Sequence, residues 1–156
     1  MPSQQRKHLH KVLHLHKNVC TIAANKPCTR WCDCKWCLGC TEGRSAKTWV
    51  DFNLYGHQIV AHYVANYNAS ATANQVDGDP VPVPHFGVVL SMEQFHTLAN
   101  KLKALPGFQF IIHPHLRFEG APGEQFTMFF KDPSGNSLEF KAMRHPDNLF
   151  AKYTVT

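Results

Sequence analysis

The sequence predicts an α+β domain, and three observations carry that prediction. In the second half the hydrophobic patterning and turn residues run in the order strand, helix, strand, strand, strand. The stretch YGHQIVAH at 55–62 lines up with SGNSLEFK at 134–141, so the first half holds a weak repeat of the strand that closes the second. At 156 residues and 44% hydrophobic composition, the chain is sized for one compact domain with a substantial core.

Residues 48–56 and 57–64 read as two strands around a tight Tyr55-Gly56 turn, rich in β-branched and aromatic side chains. Residues 66–79 are small and polar, with Asp77-Gly78 just ahead of Pro80, and read as a loop joining two halves. The loop includes the sequon Asn68-Ala69-Ser70, which has meaning only on a secretory route. Residues 81–90 read as a strand whose prolines sit at its entry, where missing amide donors do least harm. Ser91 then caps a helix with Gln94 as its reciprocal partner. Phe95, Leu98, Leu102 and Leu105 follow the helical period, and Pro106-Gly107 ends the element. Residues 108–118 and 125–131 are the next strands, and Asp132 to Asn136 turn the chain into the last one, 137–143.

The first forty residues have a different character. They hold seven Lys or Arg against the single acid Asp33, so the formal charge of +5 resides wholly in this leader. A solvated tail is the plainest reading; a nucleic-acid arm or an organelle presequence are the alternatives. All six cysteines fall there as well, at 20, 28, 32, 34, 37 and 40. The run CDCKWCLGC is spaced for a soft metal ion but lacks the second ligand pair of a structural zinc site. A misjoined coding segment would produce the same abrupt change of composition. No apolar run approaches the roughly 20 residues of a membrane span, and no secretory signal opens the chain. The expectation is a cytoplasmic protein with neither membrane nor nucleic acid as partner, since the leader lacks the interleaved aromatics of a binder.

The chemistry concentrates on two residues. Glu139 is a carboxylate planted among apolar neighbours in FFKDPSGNSLEF, and His85 lies fifty-four residues earlier in the apolar strand VPVPHFGVVL. Burying Glu139 ionised is costly unless a cation or donors meet it. Strand alternation puts Glu139 and Lys141 on one face and Leu138 and Phe140 on the other. An imidazole and a carboxylate converging from one sheet make two-thirds of a 2-His-1-carboxylate metal site. The plain alternatives are a hydrogen-bonded core histidine and a salt-bridged glutamate.

From about Gly39 to Ala151 the chain resembles the vicinal oxygen chelate superfamily, which holds glyoxalases, bleomycin and fosfomycin resistance proteins and type I extradiol dioxygenases. The residues that carry the likeness are LGCTEGRSAKTWVDFNLYGHQIVAH, VPVPHFGVVL, HLRFEGAPGEQFTMFFKDPSGNSLEFKA and NLFA. The likeness is greatest to the small single-domain extradiol-type group. It implies paired βαβββ modules forming curved mixed sheets around a metal cavity. Residues 41–66 would then be the remainder of the first module, 67–80 a linker, 81–145 the second module and 146–156 a tail. Residues 1–40 stand in place of the family's first strand and helix.

The resemblance also implies a ligand set. His85 and Glu139 match its ligand positions, and the third, a histidine on the first strand of the first module, falls by residue count near Asn18 or Val19, neither of which coordinates as imidazole does. His14 or His16 would serve if VLHLHKNV is the strand, and His62 offers another route. Val60 stands where Glu139 stands in the repeat, which favours the dioxygenase-like pattern over a site with a carboxylate from each half. His57, His113 and His115 are candidate proton-transfer partners, and Arg117 is a candidate grip for a substrate oxyanion. The implied cofactor is a divalent metal, Fe(II) or Mn(II) ahead of Zn(II) or Ni(II). The implied activity is an extradiol-type dioxygenase on a small catechol-like molecule, working as a homodimer. A glyoxalase-like lyase, a resistance-type transferase and a metal-free ligand-binding protein are the alternatives.

Overall fold

The computed structural model describes residues 20–24, 38–69 and 72–152. Two four-stranded mixed sheets with the same strand order dominate it. The first comprises β1 (Cys20–Ala24), β2 (Thr41–Ala46), β3 (Trp49–Leu54) and β4 (His57–Tyr63), in the order β1-β4-β3-β2. The second comprises β7 (Phe86–Val89), β8 (Phe110–Arg117), β9 (Gln125–Lys131) and β10 (Ser137–Met143), in the order β7-β10-β9-β8. In each sheet the opening strand lies parallel to the closing one, and every other pairing is antiparallel. The helix α1 (Met92–Lys103) follows β7 and completes the βαβββ unit of the second module. In the first module the connection from β1 to β2 passes through residues 25–37, outside the described residues.

The internal repeat holds in the hydrogen-bonding register. Cys20 lies opposite Ile59 as Phe86 lies opposite Leu138, so Val60 is the counterpart of Glu139. Gly56 and Gly135 serve the two closing hairpins with φ of 89° and 91°, values that favour a residue without Cβ.

Helix α1 forms for the reasons its sequence states. Ser91 Oγ accepts from the Gln94 amide at 3.2 Å while the Ser91 amide donates to Gln94 Oε1 at 3.0 Å, a reciprocal cap on the first turn. Phe95, Leu98, Ala99 and Leu102 form the buried stripe. They join one core with Phe52, Leu54, Ile59 and Ala61 of the first sheet and Met128, Phe130, Leu138 and Phe140 of the second. Because neighbours on a strand alternate, Asp51 and Val60 face away from this core in one sheet, as Thr127, Phe129 and Glu139 do in the other. Phe129 packs instead in a separate small cluster with Val81 and Ile112.

Three features differ from expectation. Residues 66–79 are not merely a loop: β5 (Thr72–Val76) and β6 (Asp79–Val83) form a hairpin. Asp77 and Gly78 adopt φ of 51° and 80°, the paired positive values that match the twist of a two-residue hairpin turn. The strand expected over 81–90 is two, because β6 pairs with β5 whereas β7 pairs with β10, with a cis Val83–Pro84 peptide between them. Strand β2 carries no apolar alternation, every residue being exposed, so the pattern that reveals the other strands is missing from it. No helix is long and apolar enough to cross a membrane among the described residues.

Candidate metal centre

The second sheet brings His85 and Glu139 together. Residue 87 opposes Glu139 across the parallel β7–β10 pair, which puts His85, just ahead of β7, beside the carboxylate. Residue 87 has to be glycine for that approach, since a Cβ there would stand 1.5 Å from the Glu139 carbonyl oxygen. His85 Nε2 lies 3.5 Å from Glu139 Oε2. Glu139 is 8% exposed, and the His85 side chain is 30% exposed, so the pair opens to solvent on the imidazole side.

The remaining contacts define the state of each group. His85 Nδ1 donates to the Pro82 carbonyl at 2.7 Å; a carbonyl only accepts, so the ring proton sits on Nδ1 and the neutral imidazole turns its Nε2 lone pair toward Glu139. The ring edge also packs on Phe129, 5.2 Å between centroids, which fixes its plane. Thr127 Oγ1 donates to Glu139 Oε1 at 3.2 Å, and Lys141 Nζ stands 3.1 Å from Oε2. Burial pushes the Glu139 carboxyl up, but His85 and Lys141 together outweigh it and leave it below the ordinary carboxylate range. The Glu139 hydrogen bond raises His85 above its ordinary value against the opposing pull of burial. Two lone pairs facing each other across 3.5 Å need positive charge between them, supplied either by a proton or by a cation.

A divalent ion fits these two donors. The separation is less than twice the roughly 2.1 Å of a metal–imidazole or metal–carboxylate bond, so one ion can touch both. The Nδ1–carbonyl bond is the outer contact that orients a ligating histidine. Among the described residues no three His, Cys, Asp or Glu side chains stand close enough to share an ion.

The other candidates stand elsewhere. His14 and His16 lie outside the described residues, as do Asn18 and Val19. The register makes Cys20 the counterpart of Phe86, and the residue preceding it in the sequence is Val19, which has no ligand atom. His57 opens β4 in the first sheet beside a cleft of about 300 Å³ with Arg44 and Asp51, and His62 pairs with Trp49 near the end of the same strand. His113 is exposed, its ring 5.3 Å from Phe110. His115 Nε2 pairs with Asp79 Oδ2 at 3.0 Å.

Arg117 is buried. It donates through Nη2 to the Val76 carbonyl, and its Nε lies 3.3 Å from Asp79 Oδ2, without the alignment of a hydrogen bond. It therefore ties the β5–β6 hairpin to β8 as an ion pair. Among the described residues, none of these five groups makes a hydrogen bond, ion pair or ring contact with His85 or Glu139. Thr127 and Gly87 were not foreseen as parts of the site. Cross-strand registry, which puts Thr127 opposite Lys141 and Gly87 opposite Glu139, is the signal that finds them.

No family model matches the chain, and no curated protein matches it. Solved structures do. A glyoxalase/bleomycin resistance protein/dioxygenase from Alicyclobacillus acidocaldarius superposes with a TM-score of 0.63 at 24% identity, covering 87% of this chain and 99% of its own. The chain has the vicinal oxygen chelate fold. A fosfomycin resistance protein, FosX, from Listeria monocytogenes shares the fold with a TM-score of 0.60 at 15% identity, covering 85% of this chain and 96% of its own. The same protein complexed with Mn(II) and sulfate gives 0.58 at 16%, covering 85% and 93%. The second module is thus the βαβββ unit expected from the resemblance, and the described strands of the first repeat its strand order.

Proposed function

We propose that this chain is a divalent-metal enzyme whose His85 and Glu139 hold the ion, and that it acts as an extradiol-type dioxygenase on a small catechol-like substrate. The observation that carries this reading is the facing pair, with Nε2 and Oε2 3.5 Å apart and Nδ1 committed to the Pro82 carbonyl. Val60 in place of a second carboxylate supports a site with a single acid and open positions. Fe(II) or Mn(II) bound there would supply adjacent positions for two substrate oxygens and for O2. The chain's own part is to orient the imidazole through Pro82 and Phe129 and to fix the Glu139 carboxylate through Thr127 and Lys141. The third donor belongs to this proposal too, with His14 as its candidate and His57, His62, His113 and Arg117 as more remote participants.

A second reading keeps the same ion as a Lewis acid on a vicinal oxygen pair, as a resistance-type transferase or glyoxalase-like lyase would. The FosX structure with Mn(II) favours it. Oxygen uptake separates the two. The dioxygenase reading expects consumption with simple catechols after ferrous loading and none after zinc loading; no uptake with either ion rejects it in favour of the second. A cytoplasmic homodimer completes the proposal. Its support is that β1 and β7 each pair on one side only among the described strands, leaving edges where a second copy can add.

A further inference from the structure

Arg117 buries a guanidinium under the β5–β6 hairpin, and that burial bears on His85. Its Nη2 donates to the Val76 carbonyl of β5, and its Nε lies 3.3 Å from Asp79 Oδ2 of β6, so one side chain grips both strands at the pair that closes the turn. His115 Nε2 meets the same Asp79 oxygen at 3.0 Å, and the Phe118 amide donates to Asp77 at 2.9 Å. Among the described residues every hydrogen bond or ion pair from the hairpin to the second sheet and its loops runs to this end. Two residues on from Asp79, Val81 shares its face and packs with Ile112 and Phe129. Next comes Pro82, whose carbonyl accepts from His85 Nδ1 at 2.7 Å, while Phe129 meets the same ring at 5.2 Å between centroids. The hairpin thus reaches His85 twice, by a hydrogen bond and through an aromatic neighbour.

We infer that Arg117 is a positioning residue for His85: by seating the hairpin it keeps the Pro82 carbonyl on Nδ1 and so decides which ring nitrogen presents a lone pair. A neutral imidazole has one proton for two nitrogens, and the partner of one nitrogen settles the state of the other. Here both nitrogens face acceptors, the Pro82 carbonyl on one side and Glu139 Oε2, 3.5 Å away, on the other. The carbonyl is the nearer and holds the proton while β6 stays seated. With the hairpin loosened, Nδ1 meets water, and exchange puts the proton on Nε2, where it turns to the Glu139 carboxylate, the stronger acceptor. Nε2 then has no lone pair to offer. The inference concerns the metal-free chain; only its consequence for an ion rests on the metal reading above.

The test reads the tautomer directly. The full chain, with isotope-labelled histidine and kept free of metal, is observed by NMR above the raised titration of His85, where the ring is neutral and a protonated nitrogen resonates far from a bare one. His85→Asn deletes one ring's signals and so assigns them. The unmodified chain is expected to carry the proton on Nδ1. Arg117→Ala should shift the ratio of the two tautomers roughly tenfold toward Nε2–H, the order expected for losing one hydrogen bond, and Arg117→Lys, which restores a cation beside Asp79, should shift it back. Leu98→Val lowers stability through α1, in the other apolar cluster, and should leave the tautomer alone, so general loosening does not mimic the effect. If Arg117→Ala misfolds, Val81→Ala frees the hairpin at its apolar contact and is expected to give the same shift. Nδ1–H persisting in Arg117→Ala, or in Val81→Ala where that variant stands in, overturns the inference; so does an Nε2–H ring in the unmodified chain. Mn(II) titration of the same samples keeps the two readings apart. Several-fold weaker binding by Arg117→Ala extends the inference to the ion, whereas a chain that binds no Mn(II) but still switches tautomer loses the metal reading and keeps the positioning residue.

Discussion

At the scale of single residues, the site is a matter of which atom carries the proton. With Nδ1 donating to Pro82, His85 Nε2 either binds a proton and pairs with Glu139 or presents a lone pair to a cation. In the metal-free chain the pair links stability to pH in two ways. Glu139 titrates below the ordinary carboxylate value, so its contribution is present above that value and is lost as pH falls through the lowered one. His85 titrates above the ordinary imidazole value, so its contribution is complete below that value and is lost as pH rises through the raised one. Tm of the metal-free chain is therefore expected to be flat at mildly acidic pH and to fall on both sides. His85→Asn should flatten the alkaline limb near neutrality, and an unchanged limb in that variant would refute the pairing. Gly87 is the other residue with a sharp expectation: the Cβ of Gly87→Ala would meet the Glu139 carbonyl at 1.5 Å. Denaturant unfolding should show a loss of about 3 kcal/mol from overpacking. A loss under roughly 1 kcal/mol would mean that β7 can move aside freely.

At the scale of elements, the β5–β6 hairpin depends on a buried cation. Arg117 reaches the Val76 carbonyl and lies 3.3 Å from Asp79 and 3.9 Å from the more exposed Asp77, whose carboxylate also accepts from the Phe118 amide. Removing the guanidinium strands Asp79 beside His115. Arg117→Ala is expected to cost about 3 kcal/mol and to open the 72–83 hairpin to limited proteolysis; stability and cleavage like those of the unmodified chain would show that the hairpin is held by other contacts. In the sequence Arg117 is a candidate grip for a substrate oxyanion, and its burial under a hairpin is not legible there because the hairpin's first strand leaves no hydrophobic signature. The elements themselves were more legible. Helix α1, β9 and β10 follow their patterns closely because cap, period and turn agree there. Strands β5 and β2 were missed because polar, exposed strands leave no hydrophobic signature, and only the Asp77-Gly78 pair marked the turn.

At the scale of the molecule, two like-ordered sheets share one core through Ile59 and Ala61 on one side and Leu138 and Phe140 on the other. Each sheet turns its alternate residues outward, so only the second module presents Glu139, where the first presents Val60. The pairing of His85 with Glu139 was readable from two residues fifty-four positions apart because the order of elements brings the first and last strands of the second module side by side and the resemblance puts both residues at ligand positions. A third ligand was not, because it depends on register at the start of the chain rather than on any local motif. The central claim is that the gap between Nε2 and Oε2 is the seat of a divalent ion. Elemental analysis of the intact chain and of Glu139→Gln, each loaded with Mn(II) or Fe(II) and then desalted, tests it most directly. The account predicts an ion per chain retained by the first and lost by the second, with circular dichroism unchanged; equal metal content in the two would contradict it.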